Sequence, residues 1–210
     1  MAPGLYDLTT LQREANLKYG FSAKETLNIM QRLYENHKVL TYPRTDSRYI
    51  GKDIVPTIKE RLKACGIGPY RKLAGALMNK PVQVNGSFVD DKRVSDHHAI
   101  IPTEQYVQLE HMTSEERKIY DLVVRRFLSV LYPPFEYEQT TLHAVVLGEH
   151  AGKNSEEHFV AKGKIVKEAG WKTVYDYEEE EAEEGLKEQS LPTIEAGDRL
   201  PVERAAVTRG

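Results

Sequence analysis

Two consecutive prolines, Pro133 and Pro134, divide this chain into two kinds of pattern. Proline lacks an amide hydrogen and has a fixed φ, so a helix running into the pair must end there. Before the pair, apolar residues recur at helical spacing. After it, stretches rich in Val, Thr and Tyr favour strands. A chain of 210 residues with this division reads as α+β, a helical half followed by a β-rich half.

The helical half resolves into segments. Residues 8–20, LTTLQREANLKYG, predict a helix capped by Thr9 or Thr10 and ended by Gly20 in a left-handed turn. Residues 22–36 predict a second helix. Ser22 and Glu25 form a capping box, and Ala23, Thr26, Leu27, Met30, Leu33 and Tyr34 fall on one face. VLTY, 39–42, predicts a short strand. Residues 52–64 and 69–79 predict two further helices, VNGSFVDD a hairpin turn, and residues 113–132 the clearest helix of all. Helix, turn, helix, short strand is also the order found in winged-helix and helix-turn-helix modules. Beyond the prolines, strands are expected in EYEQTTLHAVVL, in HFVAKGKIVKEAGWKTVY and near DRLPVERAAV, with the acidic run at 176–189 a solvated loop.

Charge is distributed unevenly. Residues 1–103 carry 16 Lys+Arg against 10 Asp+Glu, whereas residues 104–210 carry 13 against 22. A polyanion would meet the first half. Cys65 is the single cysteine, which excludes an internal disulfide and a cysteine-based zinc site and suits a reducing compartment. No run of 18 apolar residues suggests a membrane span, and MAPGLYDL lacks the basic-then-apolar order of a signal peptide. A cytoplasmic location is therefore expected, with no membrane partner.

Chemistry concentrates in LTYPRTDSRYI, residues 40–50. A tyrosine hydroxyl, with a pKa of about 10, is a poor nucleophile at neutral pH unless its anion is stabilised. A guanidinium favours the phenolate and also matches the non-bridging oxygens of a phosphodiester. On a strand, Tyr42 and Arg44 share a face. Thr45, Asp46, Ser47 and Arg48 follow in the adjoining loop. A second cluster, SDHHAIIPT at 95–103, carries His97 and His98. A histidine can donate to a phosphate oxygen or protonate a leaving alkoxide. As metal ligands these two are unconvincing, because adjacent residues rarely face one ion and no Cys or spaced acid completes a set.

LTYPRTDSRY resembles the active-site segment of type IA DNA topoisomerases, a strand ending in tyrosine and followed by x-Arg-Thr-Asp-Ser. The proline after the tyrosine and the Arg-Tyr after the serine resemble the bacterial topoisomerase III branch of that family. SDHHAIIPT resembles the family's second segment, and LTTLQREANLKYGFSAKETLNIMQRLYE the stretch before the tyrosine. The match covers residues 5 to about 135 well and the β half more loosely.

The resemblance implies a winged-helix-like tyrosine domain over residues 5–110 and a helix plus β-rich arch segment over 111–210. It implies that Tyr42 attacks a phosphodiester of single-stranded DNA, forming a 5′-phosphotyrosine link and releasing a 3′-hydroxyl. Transesterification conserves the bond energy, so no ATP is required. Arg44 would stabilise charge on the phosphoryl group and the phenolate, and His97 would contact the scissile phosphate. Thr45, Asp46, Ser47 and Arg48 become orienting or DNA-contacting groups, with Gln12 and Arg13 on the DNA backbone. The implied cofactor is Mg2+, held by acids of a separate Toprim domain whose motif is not found here; no metal ligand is expected in this chain. That domain and single-stranded DNA are the implied partners, and a DNA helicase is a further partner the resemblance admits. The family would continue beyond VTRG, so the chain is expected to be an internal fragment, inactive alone.

Two other readings explain part of the pattern. A non-catalytic winged-helix DNA-binding module accounts for the helices and the basic half, and predicts basic residues along one exposed helix such as 22–36. A tyrosine recombinase predicts dispersed arginines and a tyrosine near the C-terminus, whereas here the tyrosine comes early.

Overall fold

A computed structural model describes residues 1–150, 153–175, 191, 194–199 and 201. Among these, helices α1 (Leu8–Tyr19), α2 (Ala23–Glu35), α3 (Ile58–Cys65), α4 (Arg71–Met78) and α5 (Ser114–Leu131) precede strands β1 (Glu136–His150) and β2 (Lys153–Glu168). One compact unit takes Met1–Glu136 together with the described residues from Glu168 to Tyr175; Tyr137–Lys167 belong to a second.

The sequence signals explain most helix ends. Gly20 has φ 71° and its amide donates to the Asn16 carbonyl. The Ser22/Glu25 capping box is formed, and Thr113 with Glu116 forms another at the start of α5. The cap of α1 is Asp7 instead of a threonine: its carboxylate accepts from the Thr10 amide at 2.6 Å. A carboxylate at that place also opposes the helix dipole, which a hydroxyl does not.

Helix α5 is the centre of the first unit. Its second half is buried almost all round, from Leu122 to Leu131, with Arg125 only partly covered. It packs against α1, α2, α4 and a 3-10 helix over Gly170–Tyr175. Sequence reading groups this helix with the β-rich segment; its packing groups it with the other helices. Arg126, buried in its middle, donates to the Gly4 carbonyl at 3.1 Å, to the Tyr6 hydroxyl at 3.0 Å and to the Tyr175 hydroxyl at 3.2 Å, and pairs with Glu14. One guanidinium thus ties the N-terminal segment, α1 and the 3-10 helix to α5. A buried cation is tolerated because every face of it is paired.

Four expectations are corrected. VLTY is not a strand: Leu40 makes an isolated antiparallel bridge with Pro102 and nothing longer. Pro43 and Pro102 have no amide to donate, so a ladder cannot extend. VNGSFVDD forms no hairpin; Val89 instead bridges Ile50 in parallel. The helix expected at 52–64 is split into a 3-10 turn over Val55–Thr57 around Pro56, then α3. GWKTVY is a 3-10 helix, not a strand. Gly170, at φ 51°, reverses the chain there, and Val174 is buried.

In the second unit β1 and β2 pair as a two-stranded antiparallel sheet. Lys167 pairs with Glu138 at 2.8 Å across it, and the Lys164 ammonium lies 5.2 Å over the Tyr137 ring. The acidic run at 176–189 and, within DRLPVERAAV, residues 200 and 202–207 lie outside the described residues.

Two predictions follow from this packing. A Cβ on Gly170 would fall 2.2 Å from the Pro134 carbonyl oxygen at a backbone angle that L side chains avoid. Gly170→Ala should therefore cost about 2 kcal/mol or more, read as a fall in Tm of about 4 °C or more by calorimetry. The second concerns Glu116, buried at the start of α5, where it accepts from Arg32 at 2.7 Å and contacts His37 at 3.3 Å. Burial pushes its carboxyl up, but the Arg32 hydrogen bond, the Thr113 amide and the His37 and Arg32 charges outweigh it and hold the group below the usual range. A carboxylate with a lowered folded-state pKa adds stability above its unfolded value and loses it as pH falls through the folded value. The urea midpoint of the wild type should exceed that of Glu116→Gln at pH 7, and the gap should close as pH drops below about 4.3, the ordinary glutamate value.

Candidate active site around Tyr42

The chain leaves α2 at Glu35, turns through His37 and Lys38, and runs extended past Tyr42. The segment 95–103 lies beside it. The Thr41 amide donates to the Ile101 carbonyl at 3.0 Å, the Thr103 amide to Val39 at 3.0 Å, and the Ala99 amide to Tyr49 at 2.8 Å. The Thr41 hydroxyl donates to the Ala99 carbonyl and accepts from the Ile101 amide. Buried Leu40, Ile50, Ala99, Ile100 and Ile101 anchor both segments in the core.

This crossing brings the Tyr42 and His97 rings to 4.4 Å between centroids, tilted by 45°. Tyr34, on the last turn of α2, meets Tyr42 edge-on at 5.5 Å. All three side chains line a cleft of ≈ 850 Å³, together with Lys38, Asp96 and His98. Arg44 is exposed and is not among the residues lining the cleft.

Thr45, Asp46 and Ser47 act on the protein itself. From Thr45 to Ser47 the partners run the opposite way, from His97 back to Arg93. The Thr45 hydroxyl donates to the His97 carbonyl at 3.0 Å, Asp46 accepts from the Ser95 hydroxyl at 2.6 Å, and the Ser47 hydroxyl donates to the Arg93 carbonyl at 2.8 Å. The Ser95 hydrogen bond, helped by the loop's own backbone, holds the Asp46 carboxyl below its usual range. Thr45 also accepts from the Ser47 amide, and Ser47 from the Tyr49 amide. Arg93 stacks on the Tyr49 ring at 5.0 Å and donates to its hydroxyl. Arg48 donates to the Leu5 carbonyl at 3.0 Å. Gln12 donates to the Ala23 carbonyl at 3.0 Å, joining α1 to the start of α2, while Arg13 is exposed.

Sequence reading missed Tyr34 and Lys38. It placed Tyr34 on the apolar face of α2, but the buried face is Thr26, Ile29, Met30 and Leu33, and Tyr34 is 37% exposed. The solvent side of α2 alternates Lys24, Glu25, Arg32 and Glu35, so no basic stripe marks it as a DNA-reading helix. Among the described residues no three His, Cys, Asp or Glu side chains come together to hold a metal ion. No helix among them is long and apolar enough to cross a membrane.

A family profile described as DNA topoisomerase matches residues 1–210. The chain belongs to the type IA DNA topoisomerase family. It is 60% identical over 211 residues to DNA topoisomerase 3 of Bacillus thuringiensis strain Al Hakam, and 48% identical over 210 residues to that of Bacillus subtilis strain 168. Each match takes in the whole of this chain but 28% of the relative, so the chain spans less than a third of the proteins it resembles. In fold it is similar to full-length topoisomerase I from Thermotoga maritima, with a TM-score of 0.59 at 24% identity, over 93% of this chain and 29% of that one.

Thr45→Val keeps the volume and removes the hydroxyl, leaving the Ser47 amide and the His97 carbonyl without their partner. The expected cost is about 1–3 kcal/mol. NMR should then show the cross-peaks between the Tyr42 and His97 rings weakened, while contacts within α5 persist.

Proposed function

We propose that this chain supplies the tyrosine half of the site at which a type IA topoisomerase cleaves and rejoins single-stranded DNA, relaxing or decatenating DNA. The observation that carries the reading is the Tyr42–His97 contact at 4.4 Å within one cleft, in a chain of that family. The Tyr42 oxygen attacks phosphorus, the bond to the 3′-oxygen breaks, and a 5′-phosphotyrosine forms. The phenol gives up one proton and the 3′-oxygen gains one, so the step is proton-neutral. Resealing reverses it without ATP.

Catalysis of this kind rests on positioning and electrostatics. His97, held by its backbone to Thr45, faces the phosphoryl oxygens or the leaving 3′-oxygen. Arg44, two residues beyond Tyr42 and exposed, is available to a phosphate that approaches from solvent. Thr45, Asp46 and Ser47 keep the His97 segment in place, Arg48 and Gln12 brace the surrounding loops, and Arg13 is free to meet the DNA backbone. Mg2+ is a cofactor of the larger enzyme, with ligands on a Toprim domain outside these 210 residues. The isolated chain is accordingly inactive in cleavage. The helical unit corresponds to a winged-helix-like tyrosine domain in which isolated bridges stand where wing strands would run, and β1–β2 to part of the arch. A cytoplasmic location and work alongside a DNA helicase accord with this role.

The test joins the chain to the Toprim half of its parent enzyme, with Mg2+ and end-labelled single strands. A covalent adduct carrying the 3′ label, absent in Tyr42→Phe, is expected, as is no adduct from the 210-residue chain alone. An undiminished adduct in Tyr42→Phe would remove Tyr42 as the nucleophile.

A further inference from the structure

Lys38 stands out in the turn that leads to Tyr42. It is the one non-glycine residue with positive φ among the described residues, at 57°. Left-handed backbone is strained for a residue with a Cβ, and glycine is the residue that occupies it without cost just beyond a helix. The turn holds Lys38 there firmly. The His37 amide donates to the Arg32 carbonyl at 3.1 Å, the Val39 amide to Leu33 at 3.0 Å, and the Thr103 hydroxyl to the Lys38 carbonyl at 2.6 Å. The backbone geometry explains the turn but not the choice of lysine.

The charge of the cleft supplies a reason. Lys38 is the one permanently charged cation among its lining residues, while Glu35, Asp53 and Asp96 bring three carboxylates. A cleft so lined repels a phosphodiester unless a cation offsets the carboxylates. Lys38 is exposed, and no hydrogen bond, ion pair or ring contact engages its ammonium among the described residues. Strained backbone that persists beside a reactive group points to a role for the side chain it carries.

We propose that Lys38 is a phosphate-binding residue of the Tyr42 cleft, holding a backbone phosphate of the single strand laid across it. This rests on the reading of the cleft as the DNA site. Lys38 places the strand and leaves the bond-making to other groups. A compact ammonium suits this, since it meets a phosphate from any direction without matching a base.

The experiment measures binding of a fluorescein-labelled oligothymidylate to the 210-residue chain by anisotropy across a salt series. Wild type, Lys38→Gln, Lys38→Arg and Arg44→Gln are compared, each first checked for an unchanged melting curve. One lost phosphate contact on a single strand lowers the slope of log K against log salt by about 0.7. Lys38→Gln should show that loss, with affinity down about 5–10-fold at low salt, and Lys38→Arg should restore both. A slope unchanged in Lys38→Gln but lowered in Arg44→Gln would overturn the Lys38 contact and put the strand on the exposed Arg44 side of Tyr42, with the proposed function intact. Slopes unchanged in both, with wild type still binding, would place the strand elsewhere and overturn both readings.

Discussion

Two stretches about fifty residues apart, one around Tyr42 and one around His97, are held side by side, and the site depends on that crossing. Closing so long a loop costs entropy that no single contact recovers. Here many small ones do: backbone bonds from Val39 and Thr41 to Thr103 and Ile101 and from Ala99 to Tyr49, the bridge from Leu40 to Pro102, and the hydroxyls of Thr41, Thr45 and Ser47 reaching opposite carbonyls. The ladder is irregular because prolines interrupt it. That irregularity is useful, since a regular strand pair would carry the segment straight on, whereas this one releases Tyr42 into a cleft beside its partner ring.

The crossing needs a rigid base, and α5 provides it. The buried length of that helix supports α1, α2 and α4, and ionic groups that the core would otherwise reject tie its start and its middle. At one end Glu116 receives Arg32 from α2 and His37 from the turn that leads to the tyrosine. In its middle Arg126 gathers the N-terminal segment, α1 and the 3-10 helix. Buried ion pairs contribute little net stability compared with apolar packing, but they fix register. Position is what a tyrosine and a histidine 4.4 Å apart require.

Membership of the type IA family and the short length relative to its relatives fit together with the chemistry. The cleft brings together Tyr42, His97 and Lys38 with the carboxylates of Glu35, Asp53 and Asp96.

Much of this was readable from residues alone. Helix periodicity, capping boxes, the Pro133–Pro134 break and the motifs around Tyr42 and His97 are local or short-range features, and local features survive in sequence. The α1 cap was misassigned because Asp7 and the threonines compete for the same role. The strand at 39–42, the hairpin at 84–91 and the strand at 170–175 failed because long-range pairing, not propensity, sets those backbones. Tyr34 was assigned inward because a helix face cannot be told from a cleft wall when its neighbour is unknown. The roles of Thr45, Asp46 and Ser47 toward Arg93, Ser95 and His97 are likewise invisible until the fold aligns two distant segments. The sequence by itself determined most of the helices with their capping boxes and the two motifs around Tyr42 and His97, since these follow from local pattern. Tertiary structure decided which of those residues meet, and placed Lys38 and Tyr34 beside Tyr42, because that depends on how the chain crosses itself.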